Sequence, residues 1–332
     1  MATLGILHFG KKNNQHRSIT SFKNELDRWV RGTGITIDYD PADALWSDDD
    51  PALLAANADT LATNPRLNLI IAAGGSASVY AVQNAQSARR TNTNVVFTTF
   101  SQTTAPASNM CGVCAHTSDT DLQRMIILHS KLNASSYGVL ENRSRRDYDP
   151  HKFDAWKQSA GVTLDPRPVL ITPTDNEAQV ITNIQNAFAR WRGMNITAAL
   201  VCADPIFNDH RKDIKDAAKP GGGHKIKTMH QWHDFVSGGY GDYAYGTTLR
   251  EAYELAAKAA KDILVNGKSP QQVGVLETHA TFKEASAISI QEHAASLEDV
   301  LRNAIESRPY TSVMVALGLG WFIGRMGRHS DY

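Results

Sequence analysis

Leu69-Ile70-Ile71-Ala72-Ala73-Gly74-Gly75-Ser76-Ala77-Ser78 is the stretch on which the fold turns. An apolar run without polar alternation spells a strand buried on both faces, the kind found in parallel sheets covered by helices. Gly74 and Gly75 turn the chain, and the hydroxyls of Ser76 and Ser78 suit the first turn of a helix that runs to about Arg89. A strand, a glycine turn and a helix lead on to a neighbouring parallel strand. Val95 to Thr99 is the apolar run that receives it.

The same unit repeats outward in both directions. Upstream, Leu4 to Phe9 opens the chain as a strand, and Phe22, Leu26, Trp29 and Val30 follow at helical spacing. Gly32 and Gly34 end that helix before the short strand Ile35 to Ile37, and a helix from Pro51 to Leu61 feeds the strand Leu67 to Ala73. Downstream, a polar link from Thr103 to Asn109 precedes a strand at Gly112-Val113 and a helix face of Leu122, Met125, Ile126 and Leu132. Strands at Tyr137 to Leu140, Val169 to Ile171, Ala198 to Cys202 and Lys225 to Met229 then alternate with helices near Lys152 to Ser159, at Val180 to Phe188 and at Asn208 to Ala218. After the turn Gly238-Gly239-Tyr240-Gly241-Asp242-Tyr243, the residues Leu249, Ala252, Tyr253, Ala256, Ala257, Ala260, Ile263 and Leu264 share one helix face. The class is α/β.

A chain of 332 residues exceeds what one core normally serves. Two lobes are expected: 1–108 with 235–268 as the first, 109–234 with 269–290 as the second, and 291–332 as an appended tail. Lys plus Arg and Asp plus Glu both number 34, and no basic stripe marks a nucleic-acid partner. Cys111, Cys114 and Cys202 are too few for a disulfide framework, which fits a reducing compartment. The start at Met1 lacks a secretory signal, so the expectation is a cytoplasmic or membrane-attached protein, or a periplasmic one if processing precedes Met1.

Four strings and their order resemble the ABC transporter substrate-binding protein family with the type I periplasmic-binding-protein fold, in the branch associated with tryptophan, tyrosine and related solutes. They are Leu69 to Ser76; Val95-Val96-Phe97; Ala199-Leu200-Val201-Cys202-Ala203-Asp204-Pro205-Ile206-Phe207; and Phe235-Val236-Ser237-Gly238-Gly239 leading to Tyr243. Ala259 to Leu264 followed by Gly267-Lys268-Ser269-Pro270 extends the likeness, which covers about residues 3 to 285. The family's Asp-Pro after the fourth strand is replaced here by Phe100-Ser101-Gln102. The resemblance implies two doubly wound parallel-sheet lobes joined by a hinge of three crossovers. A small ligand such as an amino acid, an aromatic or a carboxylate is then held in the cleft, without chemical conversion and without a cofactor, and an ABC permease is the implied partner. The rival reading is an intracellular ligand sensor or scaffold attached through its tail.

In open sheets of this kind ligands sit beyond the carboxyl ends of the strands. Gly74, Gly75, Ser76 and Ala77 offer backbone donors and hydroxyls suited to a carboxylate, or simply a capped turn. Phe9, Thr99, Phe100 and Ser101 complete that wall, with the two rings either stacking on a ligand or packing the core. Opposite them stand Asn142, beside Arg143, and Asp204, which either pairs with a ligand ammonium or caps the helix begun by Pro205. Tyr240 and Tyr243 either reach the cleft or pack the hinge. Cys111 and Cys114 fall on opposite faces of a strand, and His210, His224, His230 and His233 lack a companion acid at metal-site spacing, so neither set reads as a redox or metal centre. Asp48-Asp49-Asp50 reads as a helix start with a solvated acidic face.

The tail reads differently. Leu297, Val300, Leu301 and Ile305 form an amphipathic helix ahead of Pro309 and the apolar run Ser312 to Gly324. That run is shorter than the roughly 20 residues needed to span a bilayer. Tyr310 and the flanking Arg325 and Arg328 extend it, so membrane association through 310–328 is an expectation. Arg308-Pro309-Tyr310 with Val315 to Arg325 resembles the end of small bacterial ribosome-associated inner-membrane proteins.

Overall fold

Side chains of the strand Leu69–Ala73 point alternately into two helical layers, as a strand buried on both faces requires. Leu69, Ile71 and Ala73 pack with Phe22 and Leu26 of the helix Lys12–Val30 and with Ala256 and Ala260 of the helix Leu249–Leu264. Ile70 and Ala72 pack with Leu54 and Leu61 of the helix Pro51–Thr63 and with Val79 and Val82 of the helix Ser76–Arg89. A computed structural model describes this architecture over residues 1–115, 118–143, 148–169, 176–220 and 225–285. The expected tail, the loop at 221–223 and the predicted strand residues Leu170 and Ile171 lie outside the described residues.

The first sheet is parallel throughout. Its order is Val275–Glu277, Met110–Cys114, Asn94–Phe100, Leu69–Ala73, Ala2–His8, Ile37–Tyr39, with Leu45–Trp46 also pairing alongside Ala2–His8. The second runs Thr281–Glu284, Tyr243–Thr247, Lys227–Trp232, Ala198–Val201, Ser136–Glu141, Thr163–Pro168, and only Thr281–Glu284 is antiparallel. Its helices Ser118–Leu132, Glu177–Gly193 and Arg211–Ala218 enclose a second core built on Leu128, Leu140, Ile184, Trp191, Leu200 and Ile214. Trp191 lies so close over Gly138 that an added Cβ would stand 2.4 Å from its ring. That contact explains a glycine in the middle of a buried strand.

The chain passes between the sheets three times, after Cys114, after Thr247 and after Glu277. This moves the expected lobe limits. Met110–Cys114 does not open the second lobe: Val95, Val96 and Phe97 pair with Met110, Cys111 and Gly112, so it belongs to the first sheet. The region 235–268 divides as well, because Tyr243–Thr247 pairs with Lys227–Trp232 in the second sheet while Leu249–Leu264 covers the first. The span 269–290 splits in the same way between Val275–Glu277 and Thr281–Glu284.

Two elements differ from what the apolar pattern indicated. Ahead of the strand predicted at Val169 to Ile171, of which only Val169 is described, the sheet has the edge strand Thr163–Pro168, whose Pro166 and Pro168 are tolerated because one side of an edge strand has no partner. Asp165 holds that strand to the layer behind it, accepting from Trp191 Nε1 at 3.0 Å and from Arg190 Nε at 3.3 Å. The helix predicted at Asn208 to Ala218 begins earlier and breaks at His210, giving Pro205–Asp209 and Arg211–Ala218.

Candidate functional site

The carboxyl ends of the two sheets face one another and touch. Lys11, just past the first strand, donates its backbone N–H to Asp209 Oδ2 of the second lobe at 3.1 Å, and its ammonium pairs with Glu177 at 2.9 Å. A Cβ built on Gly75 would stand 3.0 Å from Cγ of Pro205. These contacts bring the predicted walls together.

On the first wall Gly75 takes φ +93°, a conformation open to glycine, and its N–H donates to Thr99 Oγ1 at 2.9 Å. The Ser76 and Ser101 hydroxyls are hydrogen-bonded at 2.6 Å, and Ser78 Oγ donates back to the Ala73 carbonyl to close the turn. Gly74 is buried behind this turn and Ala77 is exposed on it. Phe9 and Phe100 sit in the buried cluster beneath, and Phe100 packs edge-on against Tyr80 and tilted against Phe97. The structure therefore places both rings among core residues, with Thr99 and Ser101 as the polar lining.

On the second wall Asn142 Nδ2 donates to Asp204 Oδ2 at 3.1 Å, while Asp204 Oδ1 accepts from Ile206 N at 3.0 Å as the helix cap. Beside them lies a buried charge cluster that motif reading does not reveal. Asp121 Oδ1 accepts from Arg124 Nη2 at 2.6 Å and from Ala203 N at 3.4 Å, and its Oδ2 accepts from Lys152 at 2.8 Å. Arg124 is fully buried, yet its Nη1 meets no hydrogen-bond partner among the described residues. Two cations share the Asp121 carboxylate here, and Glu141 lies in the same cluster around Cys202. Burial pushes the neighbouring Cys202 thiol up to about 12, which keeps it neutral.

The opposite sign gathers where the lobes meet. Asp49 was expected on a solvated face, and only Asp48 and Asp50 fit that: Asp50 caps the helix by accepting from Ala52 N at 2.8 Å, whereas Asp49 turns inward at φ +64°. Both Asp49 carboxyl oxygens are shielded from solvent, with Asp209, Asp204 and Lys11 around them. The signal is absent from composition because the turn, not the residue type, sends one aspartate of three inward.

Tyr240 lies under Arg211 and Lys215, at 5.2 and 5.6 Å from its ring centre, and packs against the cluster that holds Trp232 and Phe235. Tyr243 is at the amino end of its strand, stacked on Phe282 in the second core, and so belongs to the opposite end of the sheet from the cleft.

His8 and His230 are two further buried groups at the strand ends. His8 Nδ1 accepts from Gly10 N at 2.9 Å, which leaves Nε2–H to face Tyr253 Oη at 3.1 Å, and His230 stacks on Phe235. Burial lowers both imidazoles to about 3. A depressed histidine stabilises the fold above its unfolded-state value, near 6.5, and that contribution is lost as pH falls below it. Urea unfolding should therefore show stability dropping by ~1.4 kcal/mol per pH unit for each histidine between about pH 6 and 4. His8→Gln and His230→Gln should flatten that slope, and an unchanged slope would mean that other groups set it.

Among the described residues, no group of three or more His, Cys, Asp or Glu is placed to hold a metal, and no helix is long and apolar enough to cross a membrane. No family model matches the chain, and no curated protein is significantly similar to it. Solved structures do match. An ABC domain in complex with L-Trp from Streptococcus pneumonia superposes with a TM-score of 0.66 at 15% identity, over 84% of this chain and 90% of that one. The ligand-free, open structure of a substrate-binding protein with adhesive properties from Clostridium difficile gives 0.56 at 18% identity, over 85% and 91%. An ABC sugar transporter subunit from Rhodobacter sphaeroides gives 0.57 at 14%, over 85% and 98%. The fold is that of the type I periplasmic-binding proteins, two α/β lobes with parallel-dominated sheets.

Proposed function

We propose that this chain is a solute-binding protein of ABC-transporter type that closes its two lobes on a small zwitterion of amino-acid type, without chemical conversion. The observation that carries this reading is the opposed polarity of the strand ends in contact. Arg124 and Lys152 supply buried cations, and Asp49, Asp204 and Asp209 supply carboxyl groups at the same edge. A ligand with a carboxylate and an ammonium satisfies both poles, whereas a neutral sugar satisfies neither. The first wall adds the hydroxyls of Thr99, Ser76 and Ser101 beside the Gly74-Gly75 turn.

The solved neighbours support the class: one holds L-Trp and another is a sugar transporter subunit, so the fold admits either solute and the charges must choose. The contacts of Lys11 and Gly75 across the cleft support lobe closure, and an ABC permease is the partner that such a protein would serve. The test is thermal unfolding of the full chain with a panel of amino acids, the matching amines and acids, sugars and nucleosides. A true ligand at a hundred times its Kd adds about 2.7 kcal/mol to the folded state. Amino acids should raise the midpoint, and amines or acids alone should not. A response to sugars or nucleosides only would overturn the reading.

A further inference from the structure

One buried ring lies between the two first-lobe turns that meet the second lobe. It belongs to His8, at the end of the strand Ala2–His8, which is 1% exposed. On one side its Nδ1 accepts the Gly10 N–H at 2.9 Å, and the next residue, Lys11, donates its own N–H across the cleft to Asp209 Oδ2 at 3.1 Å. On the other side the ring backs the glycine turn. A Cβ built on Gly74 would stand 3.0 Å from both Cε1 and Nδ1 of His8, and the neighbouring Gly75 faces Pro205 of the second lobe. One side chain thus supports both edges through which the lobes touch.

The ring itself is held from three directions. Because the Gly10 bond uses Nδ1 as an acceptor, the proton of the neutral ring is on Nε2, and Nε2 faces Tyr253 Oη at 3.1 Å. Trp46 covers the ring at 4.6 Å between centres, tilted by 35°. Tyr253 is also 1% exposed and lies early in the helix Leu249–Leu264, which starts just after the crossing that follows Thr247. A phenylalanine would fill the same space. The hydroxyl adds an acceptor for a nitrogen whose proton would otherwise be buried without one.

We propose that Tyr253 is a positioning residue: its hydroxyl fixes the His8 ring, and the ring sets Gly10-Lys11 and Gly74-Gly75 where the second lobe meets them. This role rests on the reading of a protein that closes its lobes on a ligand, and neither side chain touches the ligand. A pair that only stabilised the core could stand anywhere along the strand, whereas this one stands where two contacts between the lobes begin. Without the hydroxyl, Nε2–H loses its acceptor, and the ring relieves that loss by turning. Either edge then shifts with it, because the ring is packed against Gly74 and bonded to Gly10.

Hydrogen exchange of the full chain without ligand, followed by NMR, reads the turn directly, since the Gly75 N–H is held by Thr99 Oγ1 at 2.9 Å. In Tyr253→Phe the Gly75 amide should exchange about tenfold faster. His8→Asn keeps an acceptor for Gly10 but falls short of Tyr253, so it should match Tyr253→Phe, and the double variant should be no worse than either. Ile263→Val loosens the packing of the same helix about 15 Å further along and should leave Gly75 unchanged. Affinity for the amino acid that stabilises the parent should fall about tenfold in Tyr253→Phe and hold in Ile263→Val. Circular dichroism of each variant reports its folding. An unchanged Gly75 rate in Tyr253→Phe, equal acceleration in Ile263→Val, or full affinity despite a faster Gly75 overturns the positioning role. If no amino acid binds the parent, the exchange rates still decide that role and only the amino-acid reading fails.

Discussion

Asp121→Ala should lower the unfolding free energy by about 3–5 kcal/mol, the usual cost of removing one partner from a buried charge cluster. Asp121 is the shared acceptor for Arg124 and Lys152 and also receives the Ala203 N–H, so its loss leaves two cations in a site from which water is largely excluded. Arg124 is wholly buried and the Lys152 side chain is only 11% exposed, so neither can swing into solvent without rearranging the strand end. The measurement is a urea titration at pH 7. Asp121→Ala combined with Arg124→Met should recover part of the loss, because only one cation then lacks its acid. A change below about 1 kcal/mol would show that these charges are solvated and would remove the positive pole from the proposed site.

Gly75→Ala should weaken amino-acid binding by about ten- to a hundredfold. The backbone at Gly75, φ +93° and ψ −174°, lies in a region that only glycine enters easily, and forcing another residue there costs about 1–3 kcal/mol. The new methyl also points at the Pro205 ring of the other lobe, 3.0 Å away, so it opposes the approach of the two edges directly. Each 1.4 kcal/mol is a factor of about ten in affinity. Stability without ligand reports the backbone strain alone. Affinity must fall further than that strain accounts for if the turn meets Pro205 during closure. Equal affinity in a destabilised variant would mean that ligand binding leaves these edges apart.

The run from Leu69 to Ser78 was legible because its physics is local: a strand buried on both faces has no polar alternation, and a turn of positive φ asks for glycine. Helix ends were legible for the same reason, as with Asp204 ahead of Pro205, whose carboxyl accepts from Ile206 N at 3.0 Å. The lobe limits were not, since the membership of Met110–Cys114 and Val275–Glu277 depends on pairing between residues far apart in the chain. Thr163–Pro168 was hidden by its prolines and charges, which an edge strand tolerates and a central one does not. At the proposed site, Gly75, Thr99, Ser101, Asn142 and Asp204 were picked out by a general rule about strand ends. Asp49, Asp121, Arg124 and Asp209 do not, because each reads on its own as an ordinary surface charge, and only the meeting of separate elements buries it.

The second crossing of the chain, after Thr247, has a consequence for how the molecule is made. All but one strand of the first sheet is encoded before residue 115, yet the helix Leu249–Leu264 that covers Val96, Cys111 and Val113, and the bounding strand Val275–Glu277, come only after the parallel strands of the second sheet. A ribosome delivers residues in order, so the second lobe can consolidate while the first still shows a bare apolar face. Long-range pairing of this kind is slow to form and prone to trapping. The first lobe begins translation earliest yet waits for its covering helix and bounding strand until the parallel strands of the second sheet are made, and during that interval it is the part of the nascent chain that most needs a chaperone.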